Sequence, residues 1–304
     1  MNIAVVGGAG FIGSHVVDKL LDHGHEVTVF DIMMPHRGDV RHVYIDITNI
    51  SSTSVALTGY YDAVYLLAAM ADVNDIFRNP TEAALVNILG VANVLEAARR
   101  NDLNRVILAS TVWLYEMSPE KIGVETSPLD LSRVKHVYTG TKAAAELYCH
   151  AYQKLYDQDF TILRYGIPYG PRGRGGTAIA NFVRAALEGK PLTIYGDGMQ
   201  YRNFVYVEDL AEGNVAALNP VATNQTYNLE GIRPLTIRQV AETIQAALPG
   251  SAIEYIDARP GNFTGTTVSG EKAKKELGWE PRIDLTEGVR RYIKWYRGFV
   301  SKQT

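Results

Sequence analysis

Residues 2–31 read NIAVVGGAGFIGSHVVDKLLDHGHEVTVFD, and the order of pieces within this stretch decides the fold. Asn2–Val6 is a short β-branched run that stops at Gly7-Gly8-Ala9-Gly10-Phe11-Ile12-Gly13. From Ser14 to His23, Val16, Val17, Leu20 and Leu21 recur at helical spacing, and Gly24 stands where a left-handed helix end wants it. Glu26–Phe30 is a second strand-like run, ending on Asp31. The pattern predicts strand, glycine turn, helix, strand, acid. A glycine turn ahead of a helix N-terminus offers backbone N–H groups and the positive end of the helix dipole to a pyrophosphate. Gly7 permits the tight turn, Gly10 the close approach of a ligand, and Gly13 the packing of helix on strand. Asp31 lies 18 residues after Gly13, where an acid suits the ribose 2′-hydroxyl of NAD and repels the 2′-phosphate of NADP. Arg37, six residues further on, keeps NADP as the alternative.

Working outward, strand-like runs recur at Val43–Ile45, Ala63–Leu67, Val106–Ala109 and Phe160–Leu163, separated by helical stretches. Such alternation predicts an α/β protein with a doubly wound parallel sheet covered on both faces. The rhythm breaks in the loop-rich stretch Tyr165–Thr177; helix, strand and loop pieces follow, closing with a helix near Leu285–Phe299. Two helical stretches, Ala83–Leu95 and Ala143–Leu155, are apolar nearly all round. Such helices are buried on every side, either within the core or in a dimer interface.

Composition narrows the possibilities. A chain of 304 residues suggests about two domains. With 30 basic and 33 acidic residues the net charge is −3, which argues against nucleic acid as a partner. Cys149 is the one cysteine, so neither an internal disulfide nor a thiolate metal cluster is expected, and a cytoplasmic, reducing setting suits the chain. The N-terminal residues lack the features of a targeting signal, and no run of eighteen apolar residues suggests a membrane span. His23, His25, His36, His42 and His150 show no metal-ligand spacing, so no metal is expected.

Tyr138 and Lys142 stand four apart, on one face of a helix. A lysine cation one turn away favours the phenolate and lowers the tyrosine pKa, so that the hydroxyl can take or give a proton while a nicotinamide exchanges hydride. Ser110 and Thr111 end the strand at 105–109 at its carboxyl end, where ligands of open α/β sheets bind. Thr111 joins Tyr138 and Lys142 as a candidate catalytic triad.

These residues, with several other segments, make the chain resemble the extended short-chain dehydrogenases/reductases, within them the NAD-dependent epimerase/dehydratase group acting on nucleotide sugars. The segments include residues 7–15, Asp31, Asp46-Ile47-Thr48, Leu67-Ala68-Ala69, Asn87-Ile88-Leu89-Gly90 and Ser110-Thr111. They continue through residues 138–142, Leu163-Arg164-Tyr165, Tyr169-Gly170-Pro171-Arg172, residues 195–209, Arg259-Pro260-Gly261 and residues 277–281. The resemblance implies a cofactor site of Gly7, Gly10, Phe11, Ile12, Gly13, Asp31, Asp46, Ile47, Leu67, Ala68, Ala69, Asn87, Ser110, Tyr138, Lys142 and Tyr165. Asp46 and Ile47 would border the adenine, and Asn87 would support the active-site lysine. Arg202 and Arg259 would clasp the sugar-nucleotide diphosphate, for which guanidinium forks are suited. Thr111, Trp113 and Tyr138 would meet the sugar. The family pattern also implies interleaved domains: 1–165 with 202–231 for NAD, and 166–201 with 232–304 for the nucleotide sugar.

The residues after Thr111 select the reaction. Dehydratases of this group carry Asp-Glu there, and the related decarboxylases a glutamate at the second position; this chain has Val112 and Trp113. Cys149, seven residues past Lys142, reads as a small buried hydrophobe, not as the cysteine of a 3,5-epimerase. What remains, Thr111, Tyr138, Lys142 and NAD, suffices for 4-epimerisation through a 4-keto sugar, of the UDP-glucose/UDP-galactose type. The alternatives are a nucleotide-sugar 4-ketoreductase or dehydrogenase, and a non-catalytic dinucleotide-sensing scaffold. Five positions depart from the family pattern: Val6 for Thr, Leu66 for His, Glu116 for Gly, His136 for Pro and Ile167 for Asn. Trp113 either stacks on a sugar ring or packs in the core.

Overall fold

The computed structural model describes residues 1–103, 105–173, 175–258 and 265–301. Seven strands form one parallel sheet: β1 (Asn2–Val6), β2 (Glu26–Asp31), β3 (Arg41–Tyr44), β4 (Ala63–Leu66), β5 (Arg105–Thr111), β6 (Asp159–Tyr165) and β7 (Gln225–Leu229). Their spatial order is β7-β6-β5-β4-β1-β2-β3. The order reverses between β1 and β4, and the connections that leave their carboxyl ends run to opposite sides, which opens a crevice there. This is the Rossmann-type α/β architecture. The inner strands β1, β4 and β5 are buried along nearly their whole length, which explains why their sequences lack polar alternation; the edge strand β3 is not.

Helices cover both faces. On one, α1 (Phe11–Asp22) packs against α4 (Val207–Ala216) over a core of Val16, Val17, Leu20, Val29, Tyr65 and Leu210. On the other lie α2 (Pro80–Arg100) and α3 (Val137–Tyr156), over Val64, Leu66, Val94, Leu95, Ala145 and Cys149. Burial pushes the Cys149 thiol up, in keeping with a residue that only fills space.

Two stretches read as all-round apolar do not bury every side. Leu85 and Leu89 on α2 are 50% and 43% exposed, and Leu147 and Leu155 on α3 are 59% and 72% exposed. Of the two alternatives for these helices, the wholly interior one is therefore set aside, and the interface one stays open. Periodicity reports where apolar residues are, not whether a second surface covers them. Helix α2 also carries a widened turn at Leu85–Leu89, closed by Gly90 N–H on the Leu85 carbonyl. This π-type turn aims Asn87 inward, where it is 1% exposed.

After β6 the chain builds a smaller unit with its own core of Ile179, Phe182, Val183, Ile194, Val240 and Ile244, closed by α5 (Leu285–Val300). Short strand pairs tie it together: Leu192–Tyr195 with Ile253–Ile256, and Tyr201–Arg202 with Leu235–Thr236. Between these pieces, α4 and β7 return to the large sheet. The smaller unit thus stands over the carboxyl ends of the strands.

Candidate active site

A cleft of about 980 Å³ runs from the glycine turn to the smaller unit. Gly7, Gly10, Phe11, Ile12, Gly13, Asp31, Asp46, Ile47, Leu67, Ala68, Ala69, Ser110, Thr111, Trp113, Tyr138, Tyr165 and Arg202 all line it. Asn87 and Lys142 stand just behind this lining, and Arg259 lies outside the described residues.

At the dinucleotide end, backbone makes the surface. Gly7 has φ +88°, and a Cβ there would sit 2.3 Å from the Ala68 nitrogen; one on Gly13 would sit 2.0 Å from the Gly7 carbonyl oxygen. The turn is therefore closed against two neighbouring segments with no room for side chains. Gly10 caps α1 in extended conformation with no side-chain hydrogen bond, so the first-turn N–H groups face the cleft. That cradle fits a pyrophosphate.

Asp31 is 8% exposed and accepts from Ala9 N–H (2.9 Å) and Met33 N–H (3.0 Å), one on each carboxylate oxygen. Held this way, the carboxylate keeps lone pairs for ribose hydroxyls. Arg37 does not reach back to accept a phosphate. Its guanidinium is tied to Asp39 (2.7 Å) and Asp18 (3.0 Å), which Arg172 also engages at 2.6 Å. Both observations fit NAD. Asp46 caps its own turn through Thr48 N–H (2.9 Å), and Ile47 packs where Gly90 lacks a side chain.

At the other end, side chains make the surface. Thr111 ends β5, and its hydroxyl oxygen accepts from Trp113 N–H at 3.2 Å, which starts a short helical turn at Val112–Met117. Tyr138 and Lys142 lie on the first two turns of α3. Lys142 is 4% exposed and donates to the Ala109 carbonyl at 3.0 Å. Burial pushes its pKa down to about 8, against the pull of Glu146. A lysine so placed stays largely cationic at neutral pH and brings its field to the tyrosine one turn away. Tyr165 shows its ring to the cleft and donates its hydroxyl to Asn214 (2.5 Å). Arg202 is half-buried and lines the cleft, and desolvation pushes its pKa down.

Asn87 meets the helix that carries Lys142 through the residue just before it. It clasps the Met70 backbone from both sides (2.8 Å each) and donates to Thr141 at 3.1 Å. Thr141 in turn donates to the Tyr138 carbonyl, so Asn87 fixes the cleft loop and the helix beside the lysine.

One buried network escaped the sequence reading. Ser110 donates to Glu146 (2.5 Å), and Glu146 pairs with Arg164 (2.7 Å); both members of the pair are 7% exposed. Arg164 donates to the Tyr115 hydroxyl (3.0 Å), which donates to Asn228 (2.7 Å). The network ties β5, α3, β6 and β7 together behind the site. Tyr138, Lys142 and Glu146 share the i, i+4, i+8 face of one helix, a signal that pointed to Glu146. Arg164 stood in one of the resembling segments without a role, and nothing local pointed to Tyr115 or Asn228. No group of acids, histidines and cysteines suited to a metal exists among the described residues.

A nucleotide-binding crevice, a Tyr/Lys pair on one helix and a threonine at a strand end define a dinucleotide-dependent enzyme of the extended short-chain dehydrogenase/reductase class. The family model for the NAD dependent epimerase/dehydratase family matches residues 3–229. The chain belongs to that family, and NAD is its cofactor. It is 34% identical to a UDP-glucuronate 4-epimerase of Thermodesulfobacterium geofontis, over 96% of this chain and 94% of that protein. The crystal structure of UDP-glucose 4-epimerase with UDP-glucose from Thermotoga maritima superposes with a TM-score of 0.89 at 28% identity, covering 99% and 100% of the two chains. UDP-glucose 4-epimerase of Thermus thermophilus, in complex with NAD, gives 0.87 at 33% identity, covering 98% and 99%.

Proposed function

We propose that this NAD-dependent epimerase interconverts UDP-glucose and UDP-galactose by inverting C4. One observation carries the reading: Thr111 and Tyr138 line one cleft with Lys142 one turn behind, while Val112 and Trp113 leave no carboxylate for elimination or decarboxylation. When bound, NAD would supply a hydride acceptor and donor for C4, so that a 4-keto sugar would form and be consumed within one turnover. Tyr138 takes the C4 hydroxyl proton and later gives it back. Lys142 holds its charge beside that hydroxyl, and Thr111, its oxygen fixed by Trp113 N–H, directs its own hydroxyl hydrogen toward the reacting oxygen. Arg202 and Arg259 are assigned to the diphosphate. Trp113, Ile167 and Phe204 make the sugar end largely apolar, and Arg202 is its one cation among the described lining residues, which favours a neutral C6 hydroxymethyl over a carboxylate. Incubation with UDP-glucose, UDP-glucuronate and UDP-N-acetylglucosamine, followed by NMR, tests this. C4 inversion of UDP-glucose is expected; stoichiometric NADH without the galactose epimer contradicts it.

We further infer a homodimer formed through the helices near 83–100 and 138–156. Leu147, Ala151 and Leu155 make an exposed i, i+4, i+8 stripe, and Leu85 and Leu89 add to it from the contacting helix. Leu147→Glu with Leu155→Glu should turn a dimer into a monomer in sedimentation. A wild-type monomer at micromolar concentration rejects the inference.

A further inference from the structure

Three positions of unusual identity meet behind the sugar end of the cleft. Glu116 and His136 replace the glycine and proline usual in proteins this chain resembles, and Trp113 stands where related enzymes carry a carboxylate. Trp113 and Glu116 share one short helical turn, and His136, twenty residues on, meets them in space. The Glu116 side chain is 2% exposed, and one carboxylate oxygen accepts from Lys135 N–H at 3.2 Å. The other lies 3.9 Å from His136 Nε2. The imidazole leans on the Trp113 ring, centroids 5.5 Å apart, and Trp113 meets the Tyr138 ring edge-on at 6.1 Å. Trp113 and Tyr138 line the cleft; Glu116 and His136 lie behind them.

A carboxylate is seldom buried without partners that offset its desolvation. Here the partners are the backbone and the ring at the start of α3, the helix that carries Tyr138 and Lys142. His136 is the N-cap of that helix and makes no capping hydrogen bond with its side chain. Its ring is therefore directed between Glu116 and Trp113. A rigid indole beside the catalytic tyrosine presents a flat apolar face to the C–H face of a sugar ring.

We propose that Glu116 and His136 are positioning residues that hold Trp113 as a fixed aromatic wall of the sugar subsite. They set sugar affinity and leave nucleotide affinity alone. The proposal rests on the nucleotide-sugar reading above, and its test separates the two. In NAD-loaded Tyr138→Phe protein, which keeps a ring against Trp113 and turns over far more slowly, calorimetry measures UDP-glucose and UDP separately. The parent is expected to bind UDP-glucose more tightly than UDP. His136→Ala and Glu116→Ala should each weaken UDP-glucose about tenfold and change UDP less than about twofold. Glu116→Gln, which keeps an acceptor for Lys135 N–H, should recover to within about threefold of the parent. The double variant should be no weaker than the worse single one, since the residues act through one contact. Equal losses for UDP and UDP-glucose, additive losses, or an unchanged UDP-glucose affinity in His136→Ala would overturn the proposal. His136 is partly exposed, so its variant decides the matter even where Glu116→Ala fails to fold. A parent that binds UDP-glucose no more tightly than UDP overturns the subsite itself and the substrate reading with it.

Discussion

The two ends of the cleft are built from different materials. At the dinucleotide end the contact surface is backbone: Gly7, Gly10, Gly13 and the first turn of α1, with one carboxylate pinned by two N–H groups. At the sugar end it is side chain: Thr111, Trp113, Tyr138, Ile167 and Arg202, brought from separate elements. A backbone surface tolerates almost no substitution, because any added carbon fills the space the ligand or the turn needs. A side-chain surface changes with single substitutions while the fold stays intact. The departures Glu116, His136 and Ile167 all fall at or behind the sugar end.

Gly13→Ala attacks the backbone end and carries the largest expected effect. Its Cβ would lie 2.0 Å from the Gly7 carbonyl oxygen, so the turn must open. Protein purified and denatured should release no NAD and show no epimerisation; full NAD content would contradict the backbone account. Tyr138→Phe attacks the chemistry without touching that end. It should cut the rate by about 10²–10⁴-fold with NAD content unchanged, the range for loss of a general acid–base.

Smaller effects come from titration. Burial holds the Lys142 pKa at about 8, below the ordinary 10.5, so its charge is lost early as pH rises. The rate should therefore fall as pH rises through about 8, and a rate still flat at pH 10 would remove Lys142 from the mechanism. Smallest is a stability effect away from the chemistry. Burial, then the neighbouring Glu125 carboxylate, pushes Glu230 up to about 8 from 4.5. The folded state binds this proton more tightly than the unfolded one, so the contribution is fully present below about pH 4.5 and lost as pH rises to about 8. Glu230→Gln should flatten the fall in Tm across that window.

The same contrast explains what was legible in the sequence. The glycine turn, Asp31 and the Tyr138/Lys142 spacing are local patterns, and each reports its own backbone or helix face. Glu146 was within reach, on the same stripe as Lys142, but its partners Arg164, Tyr115 and Asn228 come from elements that only the fold brings together. Arg37 stood open as a phosphate ligand until Asp18 and Asp39 were seen to hold it. The apolar runs at 83–95 and 143–155 predicted burial, yet Leu85 and Leu155 face outward, because hydrophobic periodicity cannot tell a core from an interface.

The central claim is that Tyr138 and its neighbours invert C4 by a hydride that leaves and returns within one active site. Purified enzyme given UDP-glucose deuterated at C4, and followed by NMR, tests it most directly. The account predicts UDP-galactose that retains deuterium at C4, with no net change in cofactor oxidation state. Loss of the deuterium to solvent, or build-up of reduced cofactor without the galactose epimer, would contradict it.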